Sequence, residues 1–182
     1  MPNMYHHHRG AIMSLNDSAS DSALNEAGDQ LASVLLDHKQ TLATAESCTG
    51  GWVAKVMTDR AGSSSYLLAG IVTYSNDAKK ELLGVTETSL EAHGAVSEPV
   101  VREMVAGALA TTKANVAVAI SGVAGPGGGS DDKPVGTVWF AWGRSRADTV
   151  AVAEHFSGNR DSVRRKAVLF ALQGVKAYLE NG

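Results

Sequence analysis

Four short stretches of the sequence carry residue types that could do chemistry. The first is Glu46-Ser47-Cys48-Thr49-Gly50-Gly51. Ser47 is a possible nucleophile, Thr49 a possible cap or hydroxyl donor, and Gly50 and Gly51 would let a substrate approach the backbone closely. The stretch follows a predicted strand and opens a predicted helix. A helix N-terminus offers unpaired N–H groups and a positive dipole end, so it can hold an anion or an oxyanion. The pattern is neither the Gly-x-Ser-x-Gly elbow nor a Walker P-loop, and an ordinary capped turn has the same composition. Cys48 is a rival nucleophile, because a thiol at a helix N-terminus can be acidified. A catalytic cysteine usually works with a histidine. His93 and His155 sit in no recognisable partner motif, which favours Cys48 as a small, partly buried structural residue.

The second stretch is Thr73-Tyr74-Ser75-Asn76-Asp77-Ala78-Lys79-Lys80, which also leaves a strand and enters a helix. Two such junctions at one edge of a sheet would face a common crevice, where open α/β sheets bind ligands. Lys79 could act as a general base if its ammonium were desolvated and its pKa lowered. Taken alone it reads as a solvated surface charge, as Lys80 does, and it gains weight only when paired with Ser47. The third stretch is Ser121-Gly122-Val123-Ala124-Gly125-Pro126-Gly127-Gly128-Gly129-Ser130. Consecutive backbone N–H groups in such a loop can nest a phosphate or carboxylate. It lacks the standard nucleotide fingerprints, and a flexible linker would look the same. In the fourth, residues 158–166, Arg160 and Arg164 lie at a helix start, where basic side chains oppose the dipole. An anion-binding role for one of them competes there with plain surface charge.

Regular elements must position these groups. From residue 20, Leu24, Ala27, Leu31, Val34 and Leu35 recur at helical spacing. Residues 41–46 read as a strand, 52–58 as a short helix, and 66–74 as a strand rich in β-branched residues. Asn76 or Asp77 is expected to cap a helix that Gly84 stops, and Thr86 to cap another that ends at Gly94. Ser97 is expected to cap a longer helix that buries Val101, Met104, Val105, Ala108 and Leu109, with Pro99 in its first turn. Residues 115–120 are continuously apolar, as a strand buried on both faces requires. Residues 135–142 and 149–156 form a hairpin. Asn159 or Asp161 caps a last helix with Val168, Ala171, Leu172, Val175 and Leu179 inward. Alternating strands and helices followed by a hairpin predict an α/β fold. We expect a single layered domain with a mixed, mostly parallel β-sheet flanked by helices.

Composition narrows the class. Hydrophobic residues are 44% of the 182 and aromatics only 5%, so the core is built mainly from Ala, Val, Leu and Ile. A net charge of −3 gives no broad nucleic-acid surface. One cysteine can form neither an intramolecular disulfide nor a zinc-binding Cys cluster. No apolar run approaches the roughly 20 residues that span a bilayer. These features point to a small cytoplasmic domain. Residues 1–19 include His6, His7 and His8 and read as a disordered arm or tag remnant, and the histidines as a weak metal site. The functional domain is expected over residues 20–182.

Five segments then carry a resemblance. Thr44-Ala45-Glu46-Ser47-Cys48-Thr49-Gly50-Gly51 is followed by Gly70-Ile71-Val72-Thr73-Tyr74-Ser75-Asn76 and Gly94-Ala95-Val96-Ser97-Glu98-Pro99-Val100. Ile120-Ser121-Gly122-Val123-Ala124-Gly125-Pro126 and Lys133-Pro134-Val135-Gly136-Thr137-Val138 complete the series. Together, in this order, they resemble the C-terminal domain of the competence-damage-inducible protein CinA, over residues 24–179. The N-terminal domain of full-length members has no counterpart here, so amidase activity alone is expected. The resemblance implies hydrolysis of the carboxamide of nicotinamide mononucleotide to nicotinate mononucleotide and ammonia, in pyridine-nucleotide recycling, with no metal or other cofactor. It maps the family's serine nucleophile onto Ser47 and its lysine base onto Lys79, with Tyr74 positioning Lys79 or the ring. Oxyanion and substrate contacts fall to Thr49, Gly50, Gly51, Ser121, Gly122, Gly125, Gly127 and Gly128, and the Gly122–Gly129 loop together with Arg164 is expected to hold the 5′-phosphate. The resemblance further implies a homo-oligomer, dimer or larger, with neither membrane association nor direct nucleic-acid contact. Two other readings stay open: a nucleotide-binding module without catalysis that serves competence or DNA repair, and an amidase with a different substrate.

Overall fold

The structure is a computed structural model that describes residues 19–182. The His6–His8 tract and the rest of the expected arm up to residue 18 lie outside the described residues. Ala19, by contrast, is buried in the core, and its carbonyl accepts a hydrogen bond from Arg165.

In chain order the elements are α1 (Asp21–Asp37), β1 (Leu42–Glu46), α2 (Trp52–Thr58), β2 (Leu67–Val72), α3 (Asn76–Leu83), α4 (Glu87–His93) and α5 (Glu98–Thr112). They continue with β3 (Val116–Gly122), β4 (Thr137–Gly143), β5 (Thr149–His155) and α6 (Arg160–Asn181). The five strands form one sheet in the order β2-β1-β3-β4-β5. β1 pairs in parallel with β2 and β3, whereas β4 runs antiparallel to both β3 and β5. The sheet is therefore mixed, as expected. Its pairings divide evenly, two parallel and two antiparallel, where the sequence put parallel pairing in the majority. The cause is the Gly-rich loop. It returns the chain directly onto β3, and no crossover helix is needed for an antiparallel neighbour.

Three layers result. Leu42, Val116, Val118 and Ile120 point to one face, where α1, α2 and α6 cover them. Ala43, Ala45, Ala117, Ala119 and Ala141 point to the other, beneath Val101, Met104, Val105 and Ala108 of α5. This stripe of alanines lets α5 sit close against the sheet centre. All five residues of β1 are buried, and so are six of the seven in β3. The end of the sheet that carries Ser47 thus hangs on its two most enclosed strands.

The helix starts largely follow their capping residues. Ser20, Thr86 and Asn159 each accept a hydrogen bond from an amide in the first turn, a contribution of about 1 kcal/mol apiece. Ser75 caps α3, one residue ahead of the expected Asn76 or Asp77, and Asp77 pairs with Lys80 instead. Ser97 stands at the start of α5, but its hydroxyl donates to the Gly94 carbonyl and caps nothing. Leu109 is only partly buried, because it lies at the margin of the face that α5 turns inward. β2 is shorter than expected at both ends. Tyr66 leaves it to donate to the Met57 carbonyl, and Thr73 and Tyr74 begin the next junction.

Candidate active site

The β1–α2 and β2–α3 junctions lie side by side, because β1 and β2 are parallel neighbours. Ser47 extends the β1 ladder by one residue and donates its N–H to the Ile120 carbonyl at 2.9 Å. Thr73 does the same from β2, donating to the Glu46 carbonyl at 2.9 Å. Lys79 sits one turn inside α3 and reaches back. Its Nζ lies 3.0 Å from Ser47 Oγ and donates to the Thr73 carbonyl at 2.8 Å. Lys79 is only 1% exposed, and no carboxylate pairs with it among the described residues. Burial holds its ammonium below the ordinary lysine value of 10.5. A neutral amine in this place has a lone pair beside the Ser47 hydroxyl and one N–H committed to Thr73, which is the arrangement of a base and its nucleophile.

Glu46 supplies the opposite charge, and it does so away from the lysine. The residue is wholly buried. One carboxylate oxygen accepts from Thr49 Oγ1 at 2.7 Å and the Val53 amide at 2.9 Å. The other accepts from the Ala54 amide at 3.1 Å and Thr44 Oγ1 at 3.3 Å. The expected open helix N-terminus is therefore closed: the first-turn N–H groups of α2 hold Glu46, not a substrate. Thr49 is likewise committed, with its hydroxyl donating to that carboxylate rather than to a ligand.

The turn between Ser47 and α2 requires two residues in left-handed backbone, Gly50 at φ +62° and Gly51 at φ +95°. Gly50 donates its N–H to the Ser47 carbonyl at 3.0 Å, which removes it from the expected oxyanion donors. The amides of Cys48, Thr49 and Gly51 take no protein acceptor among the described residues. Cys48 is buried, and desolvation first and the Glu46 charge second push its thiol up to about 12. A thiol that stays protonated at neutral pH is a poor nucleophile. The structural reading of Cys48 follows, and Ser47 stands as the nucleophile candidate.

The remaining expected residues divide by position. Tyr74 is 61% exposed, and its hydroxyl accepts from Arg160 at 2.8 Å. The group that holds Lys79 is the Thr73 carbonyl next door. Arg164 lies under the nucleophile turn. Its Nε donates to the Cys48 carbonyl at 3.0 Å, and its guanidinium stacks 5.3 Å from the Trp52 ring centre. Its hydrogen-bonding capacity is thus largely engaged by protein. Arg160, one helical turn earlier, donates to the Gly125 carbonyl at 2.8 Å and so fronts the Gly-rich loop. At Gly122 and Gly125 packing alone leaves no room for a side chain. A Cβ on Gly122 would meet Val138 Cγ2 at 2.7 Å, and one on Gly125 would overlap Val135. Gly127 and Gly128 are exposed and have no such neighbour. Ser121 is 1% exposed and follows Ile120, the β3 residue that pairs with Glu46.

The sequence reading missed the part Glu46 plays. Its signal was strand alternation. Thr44 and Glu46 fall on the same face of a buried strand as Leu42, and polar groups there must find partners. Among the described residues, no group of three or more His, Cys, Asp or Glu side chains could hold a metal ion, and no helix is long and apolar enough to cross a membrane.

The site can be set beside known proteins. The family model described as "CinA C-terminal domain" matches residues 24–179. A protein of Escherichia coli K12 named nicotinamide-nucleotide amidohydrolase PncC is 54% identical over 163 residues, covering 89% of this chain and 99% of that protein. A CinA-like protein of Mycolicibacterium vanbaalenii is 47% identical over 164 residues, covering 90% of this chain and 38% of that longer one. The crystal structure of competence damage-inducible protein A from Klebsiella pneumoniae superposes with a TM-score of 0.83. It is 41% identical, covering 86% of this chain and 97% of that one.

Proposed function

The chain belongs to the CinA C-terminal domain family, and from that membership we propose that it is a nicotinamide-nucleotide amidohydrolase acting through a Ser47–Lys79 pair. The substrate is nicotinamide mononucleotide, and the products are nicotinate mononucleotide and ammonia. The observation that carries the reading is the buried Lys79 amine, without a carboxylate partner among the described residues, 3.0 Å from the Ser47 hydroxyl.

The reaction follows from the positions of the groups. Neutral Lys79 takes the proton of Ser47 Oγ as the oxygen bonds to the carboxamide carbon. The carbonyl oxygen becomes an oxyanion and is met by amides of the 48–51 turn. Each such donor contributes about 3–4 kcal/mol in comparable sites. The Lys79 ammonium passes its proton to the amide nitrogen, the C–N bond breaks, and ammonia leaves an acyl ester on Ser47. Water, deprotonated by Lys79, opens that ester and restores Ser47. The Thr73 carbonyl keeps Lys79 aimed through both halves. The exposed amides around Gly127 and Gly128, with the guanidinium of Arg160, form the end of the crevice that suits the 5′-phosphate.

Ammonia release from nicotinamide mononucleotide by the purified protein tests this, beside Ser47→Ala and Lys79→Ala. Both variants are expected to lose activity while remaining folded. An active Ser47→Ala protein would overturn the nucleophile, and a wild-type protein that binds the nucleotide without turning it over would leave a binding module instead.

A further inference from the structure

Glu46 pairs with Val72 across β1 and β2, so the next residues along, Ser47 and Thr73, stand opposite each other. The Thr73 N–H still bonds the Glu46 carbonyl, so the ladder runs on to this point. Exposure alternates along β2. Leu68, Gly70 and Val72 are exposed, whereas Ile71 packs against the core under α5. Thr73 continues the Ile71 series and is 0% exposed. Alternation thus turns its side chain to the face where α3, anchored by Leu83 in that same core, brings Lys79 to Ser47. There Thr73 Oγ1 is buried and makes no hydrogen bond among the described residues. The other buried side-chain atoms in that condition, on Arg60, Glu103, Trp142 and Gln173, lie outside this pair of strand ends. A buried hydroxyl without a partner costs stability, and an apolar group of the same shape would remove that cost. Beside a nucleophile and its base, the hydroxyl points to a partner that arises during the reaction.

Lys79 generates that partner. As a neutral amine it turns its lone pair to Ser47 Oγ and one N–H to the Thr73 carbonyl. Once it has taken the Ser47 proton it is an ammonium, which carries three donors and no lone pair. Ser47 Oγ and the Thr73 carbonyl receive two of them. The third is a charged donor in a buried place, where an unmet charge is costly. No carboxylate on the surrounding elements is free to meet it. Glu46 is held by its own four donors, Asp77 of α3 pairs with Lys80, and Glu103 of α5 accepts from Thr86. Arg160 and Arg164 of α6 bring cations, which are engaged by backbone carbonyls. Cys48 is the ionisable group that acts on the Lys79 charge, and its thiol, pushed up to about 12, stays neutral through the working range. Thr73 Oγ1 belongs to the residue whose carbonyl Lys79 already holds, and χ1 rotation among its staggered wells re-aims it. Resting on the Ser47–Lys79 reading above, we infer that the Thr73 hydroxyl accepts the third N–H of the Lys79 ammonium. It thereby holds the proton on Nζ between its removal from Ser47 Oγ and its delivery to the leaving nitrogen. Thr73 touches no reacting atom of the substrate. It is a positioning residue that acts through Lys79.

The test is Thr73→Val, which keeps the shape and removes the oxygen, with Thr73→Ser as the conservative variant. The titration of Lys79, followed by NMR of its ε-carbon, needs no nucleotide. In Thr73→Val its midpoint should fall by about one pH unit or more, as loss of a hydrogen bond to the charged form requires. Thr73→Ser should stay within about 0.3 pH unit of wild type. The acid limb of kcat/KM should move down with the Val midpoint, and kcat should drop about tenfold with KM within about threefold. Urea unfolding adds a third readout. Above the Lys79 midpoint Thr73→Val should be at least as stable as wild type, because only an unpartnered hydroxyl is lost. Below it the variant should be less stable, because the folded ammonium has lost its acceptor. A Val variant whose lysine titrates as in wild type, or whose stability drops equally at every pH, would overturn the assignment even if activity fell. If the wild-type protein releases no ammonia at all, the amidohydrolase reading falls, and the lysine titration still decides the place of Thr73.

Discussion

Glu46 and Lys79 are both ionisable, both buried, and both placed at a junction where a parallel strand turns into a helix, yet the fold treats them in opposite ways. Glu46 is surrounded by four donors and closes the first turn of α2. Lys79 has two neutral oxygens near it and no anion among the described residues. A buried charge with a full set of partners is an architectural element, and one left without them is pressed toward its neutral form. The contrast is the ground on which Lys79, whose charge is not answered, is proposed as the base and Glu46 is not.

The largest break in that contrast is Lys79→Met. Removing the base should lower ammonia release by about 10³-fold or more. The variant should melt at or above the wild-type temperature, because no partner loses an ion pair. A loss of activity accompanied by collapse of the fold would mean that Lys79 is structural after all. The same lysine sets the pH dependence. It must be neutral to act, so kcat/KM should rise with pH along a limb lying below 10.5. Between its folded pKa and the higher unfolded one, only the unfolded chain holds the proton, so unfolding stability should also rise with pH in that window. Lys79→Met should flatten this slope, as urea titrations across the range would read.

Glu46→Gln sharpens the contrast from the other side. Glutamine brings N–H groups to a place where four donors already converge, and at least one buried donor is left unmet. We expect a loss of about 1–3 kcal/mol in urea unfolding, together with a roughly tenfold to hundredfold fall in kcat as the Ser47 turn loosens. A variant of full activity and stability would show that Glu46 does not hold the turn. The smallest effect belongs to Cys48→Ala. With its thiol pushed up to about 12, Cys48 should resist iodoacetamide at neutral pH, and its removal should change activity less than about threefold. A dead variant would return the thiol to the mechanism.

Much of this was legible in the sequence. Ser47 and Lys79 each fall where a strand pattern gives way to a helix pattern, so parallel pairing of those strands was enough to bring them together. What stayed hidden depended on who satisfies whom. Glu46 reads as one more polar residue until the helix it caps has a position. Thr73 acts through a carbonyl, which carries no residue-type signal. Arg164 and Arg160 lie four apart on one helical face, so both were bound to reach this end of the sheet. Only the contacts separate the one that braces the turn from the one that fronts the loop. Gly122 and Gly125 read as a ligand cradle from the sequence, and Val138 and Val135, which leave no room for a side chain there, are a second reason for glycine that the sequence does not show. Composition cannot distinguish space kept for a ligand from space already filled.

The hydrogen bond from the Ser47 amide to Ile120 has a consequence for the order in which the molecule can assemble. β1 meets β2 by closing the chain between residues 42 and 67, and meets β3 only by closing it between 42 and 116. Tripling the loop adds about 1 kcal/mol of closure entropy, and during synthesis β3 leaves the ribosome last of the three. The serine and its lysine are therefore brought together early by a local pairing. The strand that carries Ser121 and fixes the Ser47 backbone arrives later. A nascent chain that ends before residue 116 holds both candidate groups and still lacks the strand that fixes the Ser47 backbone.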